Sequence, residues 1–147
     1  MIVVKLKGGL GNQMFQYAFG RALATELKKE LVIDLEFLLD RTPKENFIFR
    51  DFDLDLFHLN KYSVLNEQKK KKFYKSSIFN NKPVFFNEIS FNFQDFSSIL
   101  RSKKIYLDGY WQSYKYFQNI EAKLREEFRF KIPLTKEQKL IQGQIQL

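Results

Sequence analysis

The segment that most restricts the fold lies at the amino terminus. Ile2 to Leu6 is a short β-rich run that Gly8-Gly9-Leu10-Gly11 ends abruptly. Phe15, Ala18, Phe19, Ala22, Leu23 and Leu27 then recur at helical spacing, which predicts a helix over Gln13 to Glu30. Lys28 and Lys29 suit its carboxyl end, where the macrodipole favours cations. Leu31-Val-Ile-Asp34 reads as a second buried strand. Strand, glycine turn, amphipathic helix and strand make a βαβ unit, so the two strands lie parallel. The fold class is therefore α/β, Rossmann-like, with a parallel sheet core.

The remaining chain adds weaker signals. Phe52, Leu54 and Leu56 alternate with Asp51, Asp53 and Asp55, as in an edge strand or extended segment. Asn66 to Lys75 is polar and Lys-rich and reads as an exposed helix. Phe73 to Leu100 is aromatic with weak periodicity, which predicts irregular strands and loops. Lys104 to Asp108 reads as a strand and Gly109 to Ser113 as a turn. Phe117, Ile120, Leu124 and Phe128 follow at helical spacing. Thr135-Lys-Glu-Gln138 has the pattern of a capping box, opening a helix that runs to Leu147. No internal repeat or linker interrupts residues 1–147, which fit one α/β domain.

Composition removes several chemistries. With no Cys there is no disulfide framework, no Cys-ligated zinc and no thiol nucleophile. The single His, His58, stands in Leu56-Phe57-His58-Leu59, an apolar setting that predicts packing rather than catalysis. A net charge of +8 favours anionic partners: nucleic acid, acidic lipid or a phosphorylated small molecule. Of the 25 basic residues 19 are Lys, and the accompanying Asn, Ile and Phe look like the codon bias of an AT-rich genome. Charge alone therefore does not select a partner. The apolar stretch before Lys5 is too short for a signal-peptide core, and no uncharged apolar run approaches the ~18 residues of a membrane span. A cytoplasmic protein, soluble or peripheral at the membrane face, is the expectation.

Gly8-Gly9-Leu10-Gly11-Asn12-Gln13 joins a strand to a helix, where outward-pointing amides and the helix dipole suit an anion. The same turn also occurs with no ligand at all. Gly9 and Gly11 match the first two glycines of a dinucleotide fingerprint, but Met14 stands where the third belongs. Asp34 still imitates the ribose-binding acid, so an NAD-type fragment is one alternative. No Gly-Lys-Ser/Thr follows, which excludes a Walker loop. Asn12 either caps the helix or donates to a ligand phosphate or hydroxyl.

Three further motifs have a functional and a plain reading. Asp53-Leu54-Asp55 has the Asp-x-Asp form of metal-dependent glycosyltransferases, but on one strand face it reads better as solvated surface. Lys69 to Lys72, with Lys75, is either a solvated helix face or a patch for anionic lipid or nucleic acid. No nucleic-acid motif accompanies it. Tyr110-Trp111-Gln112-Ser113 follows a strand at the sheet edge where α/β folds bind ligands. Tyr110 and Trp111 there either stack on a sugar or base or pack into the core, and Gln112 is placed to meet a hydroxyl.

Lys7-Gly8-Gly9-Leu10-Gly11-Asn12-Gln13-Met14-Phe15-Gln16-Tyr17-Ala18 resembles the opening signature of the α-1,2-fucosyltransferases of glycosyltransferase family 11. Leu107-Asp108-Gly109-Tyr110-Trp111-Gln112-Ser113, with Tyr116-Phe117, resembles a second segment of that family. The resemblance implies inverting, metal-independent transfer of fucose from GDP-fucose to the 2-hydroxyl of a terminal galactose, with no cofactor and no nucleic acid. It implies a two-lobed GT-B-type enzyme, of which this chain is the first lobe. Gly9, Gly11, Asn12 and Gln13 would face the donor, and Tyr110, Trp111 and Gln112 would touch substrate. The family's His-x-Arg-Arg-Gly-Asp segment, whose Arg side chains hold the donor diphosphate, is absent; His58 is followed by Leu59-Asn60-Lys61. The expectation is an isolated donor-facing lobe with an incomplete second lobe and no useful activity alone.

Overall fold

The computed structural model describes residues 1–59, 61–75, 82–133 and 135–145. Five strands form one sheet: β1 (Ile2–Lys5), β2 (Leu31–Asp34), β3 (Ser63–Val64), β4 (Val84–Asn87) and β5 (Ile105–Asp108), in the order β3-β2-β1-β5-β4. Every pairing is parallel, with Ile2 opposite both Leu31 and Ile105. The βαβ unit expected from the first 34 residues is present, as is the strand expected before Asp108.

Strand alternation divides the core in two. Ile2, Val4, Leu31, Ile33, Ile105 and Leu107 face α1 (Leu10–Glu26) and join the larger cluster. Val3 and Val32 face the other way, against Phe73 of α3 (Glu67–Tyr74), the next helix after the single-turn α2 (Glu36–Leu39). Each central strand is buried on both faces, which explains its uninterrupted Val/Ile/Leu composition. Phe19 anchors the larger cluster, its ring centroid 4.6 Å from Tyr116, 5.1 Å from Trp111 and 5.2 Å from Phe96.

The seat of α1 depends on Gly20. A Cβ there would come within 2.3 Å of Val4 Cγ2 and 2.9 Å of Leu31 Cδ1, so the helix backbone rests directly on β1 and β2 side chains. Close helix–sheet packing is the task of the third glycine in a dinucleotide fingerprint. Here Met14 leaves that position unfilled, and the contact falls to Gly20 instead.

Both ends of α1 differ from the sequence expectation. The helix begins at Leu10 rather than Gln13, because glycine at its amino end does not prevent helical geometry. It stops at Glu26 in a Schellman turn: Lys29 N–H donates to Ala24 O at 2.9 Å and Lys28 N–H to Thr25 O at 3.3 Å. Lys28 takes the left-handed position at φ 51°, where glycine is usual, at a cost of about 1 kcal/mol.

A buried ion pair fastens the carboxyl-terminal third to this helix. Arg21 Nη2 lies 2.9 Å from Glu127 Oε1, with both side chains under a tenth exposed. Tyr17 Oη donates to Glu127 Oε2 at 2.8 Å, and Arg21 Nη1 to Thr25 Oγ1 at 3.1 Å. Burial, then the bond to Glu127, pushes the Tyr17 phenol well above its ordinary value. Glu127 closes α4 (Glu121–Glu127), which supplies only the end of the helical pattern starting at Phe117. Residues 114–116 and 118–120 are separate 3-10 turns.

The 51–56 segment also departs from its pattern. Leu54–Leu56 is a 3-10 turn rather than a strand, Leu54 is fully buried and Leu56 is largely exposed. The alternation reflects an irregular wall, not a pleat. His58 is exposed, its backbone N–H on Arg129 O at 3.0 Å, so the packed setting expected for it is taken by its neighbours, buried Phe57 and half-buried Leu59. The 66–75 helix is confirmed, with Asn66 Oδ1 capping Lys69 N–H at 2.9 Å. The Thr135–Gln138 capping box forms reciprocally, opening α5 (Lys136–Ile145). The continuation of that helix to Leu147 lies outside the described residues. No described helix is long and apolar enough to cross a membrane.

Gly20→Val is expected to lower stability by about 1–3 kcal/mol, since β1 and β2 side chains must move to admit it. Urea denaturation checks this; stability equal to the parent chain would show that α1 is not seated through this contact.

Candidate functional site

All five strands point the same way, so their carboxyl ends share one edge. Chain order runs outward from β1 to β2 and β3, then returns from the far side through β4 to β5. The reversal therefore falls between β1 and β5, and open α/β sheets bind ligands at such a switch point. The loops leaving these two strands are the two segments singled out in the sequence.

The β1 loop turns at Gly8, with φ 80°. A Cβ there would lie 2.4 Å from Asn12 Nδ2, so the Asn12 side chain covers the turn. Asn12 is the third residue of α1 and does not cap it. The capping position is Gly9, with no side-chain hydrogen bond and no acid in the first turn. The amino end of a 17-residue helix is thus left without an internal counter-charge. Asn12 Oδ1 accepts from Gln112 Nε2 at 2.6 Å, bridging the first turn of α1 and the loop after β5, 100 residues apart.

Gln13 is directed elsewhere. It is fully buried, its Nε2 donates to Gly8 O at 3.0 Å and Asp51 O at 2.8 Å, and its Oε1 accepts from Asp53 N–H at 3.0 Å. The side chain ties the 51–53 segment to the glycine turn and offers nothing outward. Gly9 is half-buried and Gly11 exposed, with nothing within 4 Å of a Cβ built on either.

Tyr110, Trp111 and Gln112 separate in the same way. Gln112 is exposed and Tyr110 half-buried, with Lys7 Nζ 4.8 Å from the Tyr110 ring centroid. Trp111 is fully buried and stacks on Phe86 at 5.3 Å and 8°. Its backbone is left-handed at φ 56°, and Nε1 is the one buried side-chain polar atom without a partner among the described residues. Both features cost free energy. Glu88, just beyond β4, holds this loop: its carboxylate accepts from Tyr110 N–H at 2.7 Å and Trp111 N–H at 2.9 Å.

Sequence reasoning did not pick out the charges at the crevice. Lys5 Nζ and Lys7 Nζ each lie 2.8 Å from Asp108, one on either oxygen. Burial raises the Asp108 carboxyl, but its bonds and charge contacts with the two lysines outweigh this and hold it below its ordinary value of 3.8. Two ammonium groups sharing one carboxylate leave one positive charge over. The signal was an opposite charge at matching ends of two strands, invisible before the β1–β5 register is known.

Other sequence candidates stay apart. Asp34 Oδ2 accepts from Tyr106 Oη at 2.7 Å and its Oδ1 from Glu36 N–H at 2.9 Å, so both oxygens are engaged. Asp53 and Asp55 sit at the 3-10 turn. No group of three or more His, Asp or Glu among the described residues could hold a metal ion. Lys69 and Lys70 pair with Glu30 and Glu36, which leaves less of the basic run free than its sequence suggests.

Two cavities open at this edge. One of about 640 Å³ runs along Lys5, Asp34, Phe37 and Tyr106. Another of about 300 Å³ lies between Gly8, Tyr110 and residues 46–50. Phe37 lines both.

The chain is similar to glycosyltransferases. Over 87% of its length it is 34% identical to an alpha-1,2-colitosyltransferase of Escherichia coli, of which the match covers 44%. Over 46% of its length it is 43% identical to the O-antigen biosynthesis glycosyltransferase WbnK of Escherichia coli, of which 22% is covered. The chain spans less than half the length of these relatives. No protein-family model matches the chain, and no solved structure does.

The depressed Asp108 value sets a pH limit. Its contribution to stability is fully present above the ordinary carboxylate range and is lost as pH falls below 3.8 through the folded-state value. Asp108→Asn is expected to flatten that part of the acid limb in urea titrations at stepped pH. An unchanged acid limb would show that the two lysines do not stabilise the carboxylate.

Proposed function

We propose that this chain carries the donor-facing lobe of an inverting α-1,2-glycosyltransferase. The donor is GDP-fucose, the acceptor the 2-hydroxyl of a terminal galactose, and no metal takes part. The observation that carries the proposal is the meeting of Asn12 and Gln112 at the switch point, in a chain similar to two glycosyltransferases.

The chemistry asks for three things: a sugar that develops oxocarbenium character, a stabilised diphosphate leaving group and an activated hydroxyl. Charge grows on the diphosphate as the glycosidic bond breaks, and preorganised donors are the usual largest contribution there. In this lobe those donors are the uncapped amides of α1, the Asn12 amide and the Lys5–Lys7 pair. Gly9 and Gly11 admit the phosphates close to the backbone, while Gln13 holds the turn in shape from beneath. Tyr110 and Gln112 border the site, and Trp111 supports them from the core. Asp108, held ionised between two lysines, suits positioning rather than proton transfer.

A colitosyl donor is the second reading, favoured by the name of the relative matched over most of this chain. The NAD-type alternative loses its motive because both Asp34 oxygens already have partners inside the protein.

Calorimetric titration of the purified chain is expected to show GDP-fucose bound and displaced by GDP, with no change on adding a chelator. Asn12→Ala should weaken that binding about tenfold, the worth of a charge-assisted hydrogen bond. Turnover by this chain alone should fall several powers of ten below a full-length relative, because aligned groups act as a unit. NAD bound in preference to GDP-fucose would overturn the proposal, and a rate near the relative's would overturn its divided-lobe part.

A further inference from the structure

We infer that the cavity between Gly8, Tyr110 and the 46–50 segment is a phosphate-group subsite, with Arg50 as its cation. The inference deepens the glycosyl-transfer reading, on which it rests only for naming the ligand a nucleotide-sugar diphosphate.

Charge within the cavity has one sign. Arg50 is the single charged residue among those lining it; the others are glycine, aromatic and aliphatic residues and Asn46. No ion pair or side-chain hydrogen bond engages the Arg50 guanidinium among the described residues, whereas the two other basic residues of the 41–50 stretch are committed. Arg41 pairs with Asp51 at 2.6 Å and Lys44 with Asp40 at 2.8 Å. An arginine beside such pairs, left without a carboxylate, offers a planar fork of donors suited to phosphate oxygens.

Its surroundings add to that charge. Lys7 lies over the Tyr110 ring that lines the cavity, and with Lys5 it shares only Asp108. Gly8 brings the uncapped end of α1 to the same place. Of the acids near this wall, Asp51, next to Arg50, pairs with Arg41, and Asp108 is shared by Lys5 and Lys7. Glu88 turns its carboxylate to the Tyr110 and Trp111 amides, and Glu45, next to Asn46, is exposed and does not line the cavity. The adjoining cavity beyond Phe37 is of different character, because Asp34, Glu36 and Asp40 outnumber Lys5 along it and disfavour an anion.

Size agrees with a small group. A volume of about 300 Å³ is at the lower end for ligand pockets, enough for a diphosphate but not a whole nucleotide sugar. Phe37, Phe47 and Tyr110 supply apolar walls for the carbon atoms next to the phosphates.

Inorganic pyrophosphate, inorganic phosphate and GDP, each titrated into the full chain with amide shifts followed by NMR, test this. Pyrophosphate and GDP are expected to move the Gly8, Gly9 and Tyr110 amides, and R50Q to weaken pyrophosphate binding by about tenfold or more. K71Q/K72Q, on the far face of the sheet, should leave binding unchanged, and R50K should fall between R50Q and the parent chain. Because Arg50 is exposed, R50Q should retain the parent circular dichroism. Equal pyrophosphate affinity in R50Q and the parent chain, or an equal loss in K71Q/K72Q, would overturn the inference. GDP-fucose binding that depends on Asn12 but not Arg50 would sink the subsite and leave the transferase reading standing. Arg50-dependent pyrophosphate binding without any nucleotide-sugar binding would do the reverse.

Discussion

At Gly20 the backbone of α1 comes so close to Val4 and Leu31 that no side chain fits between them. From that seat the helix reaches three distant segments of the chain. Arg21 and Tyr17 hold Glu127, and with it the carboxyl-terminal third. Gln13 holds the 51–53 segment, and Asn12 meets the loop that leaves β5. A shift of α1 away from the sheet would disturb all four contacts together. A buried ion pair broken on one side costs about 3–5 kcal/mol, so the Arg21–Glu127 link also penalises any such shift.

The carboxyl edge shows a division of labour between adjacent residues. Of each neighbouring pair, one side chain turns inward and supports while the other turns outward. Gln13 is satisfied inside, Asn12 lies over the turn; Trp111 is in the core, Gln112 at the surface. Helix and loop geometry force this alternation, so a motif read as a block of contact residues necessarily contains its own scaffold. The lysines repeat the pattern across strands, since Asp108 draws Lys5 and Lys7 to one point from opposite sides of Leu6.

The amino-terminal βαβ unit was legible because its signal is local: an apolar run, glycines, helical periodicity and a second apolar run. The Thr135–Gln138 box was legible for the same reason. Failures came where a local pattern had several three-dimensional solutions. Asp51 to Leu56 alternates like a strand, yet Gln13 captures its backbone at 51–53, and pairing with an extended neighbour begins only at its far end, where Leu56 O accepts from Lys131 N–H and Phe57 bridges Phe130. The helix-like spacing from Phe117 yields two short turns first, since Tyr114 to Phe117 must reach Phe15 and Phe19 on α1. Gly20 carried the sequence mark of an isolated glycine inside a helix, but its partner side chains lie on two other strands. The Lys5–Asp108–Lys7 cluster and Arg50 needed strand register and loop placement, which no single-chain pattern contains.

Trp111 is the chain's only tryptophan, and it sits under the Tyr110–Gln112 loop with its indole stacked on Phe86. Intrinsic emission excited at the red edge therefore comes from one fluorophore in one place. A sealed, apolar indole with no hydrogen-bonded N–H emits toward the blue, and water or a new acceptor at Nε1 moves it toward the red. The molecule carries a built-in optical gauge of whether the β5 loop is closed, readable without any label.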